Sequence, residues 1–489
     1  MSQTTIGQHE RWVTGLVFSR DGKRLVSVGG DSLRYRPGDV LVWDVASGKS
    51  VGRFEGHQTH VWSVARSPDG SKLVTTSYGG RIIVWDAASG KQLKAIDRFK
   101  SWVRCARFSP DGKHLAAGGE DGTVVLWNAN DFKEVKSFKP HEAAVTSLAF
   151  LPNGRSILTA GLDEKVKLSD WQTGKETAVL QKEGEPVWSV DADAQGSRLV
   201  TAGADRSIHL WDIHGKPLVS VPAHSDWVHA VQFSPDGKSI ASGGHDRAVK
   251  LWSVDRLLAE RKALTDAARK VDTAQQALKQ AGAAVEQAEK QLTDAKLAAK
   301  RVTAVADWKD AQEKQNKAKA ALEKDKQNKE LKKALADAEA AAKKALGNVD
   351  AEIKAVERDK KSKAAKEFAA LLKKLKAAKN DEVKAEKKKR DTEVASAESR
   401  AKQAVEKEKQ AEKGVAAAKT ARKALMAKLE TKLGDHGSSV WAVAFSPDGK
   451  LLASGSHRVG SEQNTDTIKV WRLSDRKSLF SPKTKSKSG

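Results

Sequence analysis

Cysteine is almost absent from this chain of 489 residues, where Cys105 stands alone. No intramolecular disulfide and no cysteine metal cage can form. No run of about 18 apolar residues occurs, so no membrane-spanning helix is expected. The opening MSQTTIGQHERW lacks both the basic and the apolar region of a secretory signal. A soluble, cytoplasmic protein is therefore expected. Proline is missing from the whole stretch 255–433. A Gly-rich phosphate loop, a Ser-His-Asp motif and metal-spaced clusters are also missing. No catalytic residue, cofactor or metal site is assigned, and no enzyme is expected. Anions are outnumbered, and the formal net charge is +24. That balance favours acidic partners without specifying a fold.

What is present is a repeat of about 42 residues. The phrases SRDG at Ser19, SPDG at Ser67, Ser109, Ser234 and Ser446, LPNG at Leu151 and DAQG at Asp193 mark it. Each joins two alternating apolar runs, as VWAVAFS joins LLASGS, and so reads as a hairpin. A third run ends at Trp43, Trp85, Trp127, Trp211, Trp252 or Trp471, and a short fourth follows. Four strands in each of seven units is the pattern of a β-propeller.

These residues resemble the WD-repeat β-propellers of the G-protein β-subunit type, and the resemblance covers everything outside 255–433. It implies a buried hydrogen-bond set in each blade: a His, a Ser or Thr, an Asp and the Trp. Blade six matches fully with His224, Ser242, Asp246 and Trp252. Blade one offers His9, Ser27, Asp31 and Trp43. Blade four has His141, Thr159 and Asp163 but Ser169 in the Trp place. Blade five has Glu183 for the His, with Thr201, Asp205 and Trp211. Blade two has His57, Thr75 and Trp85 with Gly79 for the Asp. Blade three has Phe99, Ala117, Asp121 and Trp127, and blade seven His436, Ser454 and Trp471. Recurrence in register marks a packing device; a single active site would not repeat. Cys105 takes a place held elsewhere by Gly15, Ser63, Ser147, Ser189, Ala230 and Ala442. A small buried residue suffices there.

Composition divides the chain. Residues 1–254 carry blades one to six, and 434–480 carry blade seven and the closure. Residues 481–489 form a basic tail expected to be disordered. Between them, 255–433 is built of good helix formers. Apolar residues recur every seven from Leu257 through Leu264, Val271, Leu278, Val285 and Leu292, with alanines at Ala267, Ala274, Ala281 and Ala288. A similar run returns from Val394 to Leu429. The expectation is a long antiparallel α-helical coiled-coil hairpin, inserted between the third and fourth strands of blade six. Gly347-Asn348 at its middle is the expected turn, which would bring Gly282 opposite Gly414. The outer strand should resume near Leu429–Leu433. For ring closure two segments compete, TTIGQ near the start and RKSLFS near the end, and the first is favoured.

Fourteen tryptophans exceed what the blade set uses. Three places beyond each blade His stand Trp12, His60, Trp102, Ala144, Pro186, Trp227 and Ser439. Five places beyond stand Thr14, Trp62, Arg104, Thr146, Trp188, His229 and Trp441. In the resembled family such places surround the mouth of the central channel. The resemblance thus implies partner binding by Trp12, His60, Trp62, Trp102, Arg104, Trp188, Trp227, His229 and Trp441. The competing reading is that some of these rings only pad the inner strands. Glu120, Leu162, Ala204 and His245 mark a further rim. The expected function is a non-catalytic protein–protein interaction scaffold with an unnamed protein partner, the helical arm giving reach or a second docking surface. The alternative is binding of nucleic acid or another anionic surface through the lysines of the arm. Nucleic acid is not favoured, because only Trp308 and Phe368 could stack there. A monomer is expected, with pairing of arms between chains as the other arrangement.

Overall fold

The computed structural model describes residues 2–5, 9, 12–30, 36–180, 184–358, 363–457 and 468–473. Asp31, Glu183, most of the blade-seven loop beyond His457, the segment RKSLFS and the basic tail lie outside the described residues. Two compact units are present: 1–267 with 422–489, and 268–421.

The first unit consists of seven four-stranded antiparallel sheets that fit a propeller of blades. Each SPDG-type phrase turns a first strand into a second. In blade six the Ser234 hydroxyl donates to Asp236 Oδ1 at 2.6 Å, and the Gly237 amide donates to the Ser234 carbonyl at 2.8 Å. Gly237 has φ +68°, a conformation that a side chain disfavours, hence the recurring glycine. Apolar clusters join consecutive blades. One of them packs Val13, Leu16 and Phe18 of blade one against Ala442, Ala453 and Val470 of blade seven. The terminal strand Ser2–Thr5 completes the seventh sheet by pairing with Ile468–Arg472. This strand begins earlier than the expected TTIGQ segment, whose residues 6–8 are outside the described set.

The buried polar sets differ between blades. In blade six His224 reaches both Asp246 Oδ1 (2.7 Å) and Ser242 Oγ (2.8 Å), and Trp252 Nε1 donates to Ser242 Oγ at 2.9 Å. Blade four keeps His141 on Asp163 and Thr159, at 2.8 and 2.9 Å. There Trp171 substitutes for the missing blade Trp, donating to the Gly154 carbonyl. In blade five a third-strand residue, His209, holds Asp205 at 2.6 Å. Blade three, without the His, packs Phe99 edge-on to Trp127 at 6.3 Å. In blade one Asp39 stands 3.9 Å from His9 Nδ1.

Blade six receives the insertion between its third strand, Ala248–Ser253, and its fourth, Glu430–Asp435, which pair antiparallel. Ser253 caps α1 (Val254–Ala259), and α2 (Arg261–Lys324) follows directly. Then come α3 (Lys329–Arg358), α4 (Lys363–Ala377) and α5 (Asn380–Leu429), the last of which leads back to the blade. The base of the insertion belongs to the blades. Leu257, Leu264, Met426 and Leu429 are buried with Val219, Val221 and Trp252 of blades five and six. The helical unit therefore begins later and ends earlier than 255 and 433.

Within 268–421 the expected single hairpin is not what forms. Gly347 and Asn348 lie inside α3, and the chain reverses instead at 325–328. There Asn328 Oδ1 accepts from the amides of Glu330 and Leu331, capping α3. A mid-helix Gly costs about 1 kcal/mol. Burial of Val349 and Val356 against Val302, Val305 and Ala306 of α2 outweighs that. Lys300 pairs with Glu352 at 2.7 Å, in register with a turn at 325–328. α4 runs in the direction of α2, its Lys376 carbonyl accepting from Lys309 Nζ at 2.8 Å, and a further reversal at 378–379 sends α5 back along α2. Asn380 donates to Asp310 at 2.8 Å, and Lys296 pairs with Glu398 at 3.0 Å. Gly282 and Gly414 do not face one another. A Cβ on Gly282 would meet only Glu408, and one on Gly414 would meet open space.

Two measurements test this description. Deleting residues 2–5 removes the pairing with Ile468–Arg472 and should lower the melting temperature; an unchanged value would refute a role for that strand. Burial, aided by Arg53 and Arg81 respectively, pushes the His9 and His57 imidazoles down to about 3. Both stay neutral in the fold, whereas the unfolded chain takes up those protons near pH 6.5. Their contribution is fully present above about pH 6.5 and is lost as pH falls toward about 3. Melting temperature should drop on acidification through that window, and His57→Gln should flatten the slope. An unaltered slope in the variant would contradict the assignment.

Candidate binding face on the first strands of the blades

The inner strands share one irregularity. In each blade the pairing of first with second strand skips one residue of the first: Thr14, Trp62, Arg104, Thr146, Trp188, His229 and Trp441. A bulge at this place re-aims its extra side chain. All seven residues line one cavity of about 310 Å³. Two of them link neighbouring blades: Thr14 Oγ1 donates to the Val61 carbonyl at 2.6 Å, and Thr146 Oγ1 to that of Val187 at 2.5 Å.

Around the cavity runs an aromatic belt. Trp102 stacks near Trp62 at 6.0 Å, and Trp62 meets His60 edge-on at 4.7 Å. Trp12 lies 6.2 Å from His60 and stacks on Trp441 at 5.4 Å. Trp441 stacks on His229 at 3.9 Å, and Trp188 lies 6.1 Å from both His229 and Trp227. The belt is interrupted at blade four, where Ala144 and Thr146 stand. Trp227 is the most exposed member, at 45 %. Its carbonyl accepts the His245 amide at 2.7 Å, a link that Trp102 and Glu120 repeat at 2.9 Å.

The expected contact residues are thus brought to one face, in different roles. Trp62, Arg104, Trp188, Trp227, His229 and Trp441 line the cavity, while Trp12, His60 and Trp102 stand in the belt beside it. His60 and His229 are buried between aromatic rings. Burial, with His245 adding to it, pushes the His229 imidazole down to about 3, so it is neutral near pH 7. Arg104 Cζ lies 4.7 Å from the Trp102 ring and 5.3 Å from the Trp62 ring, and its Nε donates to Glu120 Oε2 at 2.8 Å. The Nε1–H groups of Trp62, Trp188 and Trp441 are buried and meet no acceptor among the described residues.

Four participants are absent from the expected set. Tyr78 packs on Trp102 at 4.4 Å and His457 on Trp12 at 5.4 Å. They occupy the rim place of Glu120 and His245, in blades that lack the Asp marking that place. Arg107 and Asp191 line the same cavity as Arg104 and Trp188. Asp191 accepts the Phe233 amide of the next blade at 2.8 Å, and burial raises its carboxyl to about 6. Cys105 also lines the cavity; its thiol is pushed up to about 12 by burial, which leaves it unreactive.

A family described as "WD domain, G-beta repeat" matches residues 1–35, 48–86, 90–128, 132–170, 174–212, 215–253 and 427–472. The chain belongs to this WD-repeat family. The last matched stretch joins the end of α5 to blade seven, so the WD repeats account for all seven blades and leave 254–426 outside. Among similar proteins, Eukaryotic translation initiation factor 3 subunit I of Aspergillus terreus is 36% identical over 77 residues, 16% of this chain and 21% of that protein. The Neurospora crassa protein of the same name is 30% identical over 77 residues, 16% of this chain and 20% of its own. WD repeat-containing protein 1 of Xenopus tropicalis is 33% identical over 76 residues, 15% of this chain and 12% of that protein. This WD-repeat chain spans about a fifth or less of the length of these curated relatives. Among its described residues no helix is long and apolar enough to cross a membrane.

Proposed function

We propose that this WD-repeat chain is a non-catalytic protein-interaction scaffold whose blades close into a ring and whose aromatic channel mouth binds a partner. One observation carries the reading. Seven bulged residues, one from each blade, converge on a single cavity bordered by a belt rich in Trp. Trp and Arg are the side chains most enriched at binding hot spots. A ring that only padded the strands would have no need to leave Trp227 45 % exposed. The name of one relative, a factor subunit, fits a protein that works in assemblies. The helical unit 268–421 supplies a second surface, rich in lysine, for docking.

The test is capture of partners from cell extract by the full-length chain, followed by titration of the captured protein. Trp227→Ala and Trp441→Ala should each weaken binding by at least about ten-fold, since a hot-spot Trp contributes about 2 kcal/mol or more. Trp227→Ala should leave the melting temperature unchanged. Normal binding by both variants would contradict the reading. Binding that instead vanishes with salt, and with loss of lysines on α4 and α5, would favour an anionic surface as the target.

A further inference from the structure

We propose that the mouth recognises an acidic segment of its protein partner, taking a side-chain carboxylate on the Nη edge of Arg104. The inference rests on the reading of the mouth as a partner site and specifies what that partner presents.

Arg104 is held in place before any ligand arrives. It is the bulged residue of blade three, so its side chain leaves the sheet alternation toward the cavity. Two indoles fix the guanidinium, at 4.7 and 5.3 Å from its Cζ. Glu120 takes its Nε at 2.8 Å. Among the described residues nothing accepts from Nη1 or Nη2, and the side chain remains 15% exposed. A guanidinium bound through Nε keeps an edge free whose geometry matches a carboxylate bidentately. Because the rings have already restricted its rotamers, little entropy is lost when that pair forms.

The surroundings favour an anion over a cation or a neutral group. Arg107 and Asp191 line the same cavity, and Arg104 pairs with Glu120 at 2.8 Å, so charge there is balanced and what is left over is the donor edge of Arg104. Asp191 is already tied to the Phe233 amide. The Nε1–H groups of the neighbouring bulged residues Trp62, Trp188 and Trp441, which meet no acceptor among the described residues, are donors as well. An approaching Lys or Arg would bring only donors to a donor edge, and an apolar group would leave the Nη edge desolvated without a partner. Glu120, 33% exposed, competes for the same guanidinium.

Glu120 also provides the discriminating test. Three fluorescein-labelled, C-terminally amidated peptides of alternating Ala with Glu, Gln or phosphoserine are titrated into the full-length chain at physiological salt. The Glu peptide should bind at least about ten-fold more tightly than the Gln peptide, an increment of about 1.4 kcal/mol. R104Q should abolish that difference and R104K should reduce it, because lysine keeps the charge without the fork. E120Q should tighten the Glu peptide, an outcome no merely structural role would produce. Trp227→Ala should weaken the Glu and Gln peptides alike. Equal binding of the two peptides, failure of the Glu peptide to bind, or preference for the phosphoserine peptide alone would overturn the inference. So would a Glu preference that survives in R104Q, which would place the binding on the lysines of the helical unit. Partner capture that still depends on Trp227 would, in each case, leave the scaffold reading standing.

Discussion

The pairing of Glu430–Asp435 with Ala248–Ser253 is the contact on which the rest of the molecule depends. It completes blade six across the whole inserted helical unit. Loop closure grows only logarithmically with length, so a long insertion is tolerated when its ends are delivered together. Antiparallel α2 and α5 deliver them. At the base, Lys250 Nζ donates to both Glu430 Oε2 and the Ala223 carbonyl, at 2.7 Å each. Without this fourth strand the third strand of blade six would have a free edge, and the cluster under Leu257 and Leu429 would open. Blade six carries Trp227 and His229, so the cavity they line depends on the same pairing.

Two repeated devices divide the work of each blade. The His–Ser/Thr–Trp set is buried and fixes the hairpins to one another; blade six shows it complete, and blade three replaces it with the contact of Phe99 on Trp127. The bulge lies on the inner strand and frees one residue per blade from the sheet. Because stability in repeats is shared between neighbours, blades four and five tolerate losing the blade Trp or the His. Because the bulge does not depend on its occupant, that place can hold Thr, Trp, Arg or His. The mouth is therefore free to vary while the blades stay alike.

Much of this was legible in the sequence for a physical reason. The SPDG phrases and terminal Trp residues are local signals, and they recur, so errors in one blade are corrected by the others. The outer strand after the helices was legible because LETKLGDH has the same form as VGRFEGH. The fold of the helical unit was not. Gly347-Asn348 has the composition of a turn, but its effect of about 1 kcal/mol is outweighed by burial of Val349 and Val356. The capping by Asn328 that marks the true reversal is a short signal, and Asn316, Asn348 and Asn380 in the same segment offer the same side chain. At the mouth, position relative to the blade His located Arg104 and the Trp residues. Tyr78 and His457 escaped because Gly79 and the long loop of blade seven remove the Asp by which their place is recognised. His209 escaped because it reaches Asp205 from a strand where no His belongs to the pattern.

The basal turns of the insertion are part of the blade core, and the helical unit beyond them is not. Two shortened chains test this directly by thermal melting. In one, residues 268–421 are replaced by a short Gly/Ser linker; in the other, residues 254–429 are. The first should melt as the blades of the full chain do. The second loses Leu257, Leu264, Met426 and Leu429, each stabilising by about 1.5–3 kcal/mol on full burial, and should melt well below it. Equal melting of the two chains, or failure of the first to fold, would contradict the account.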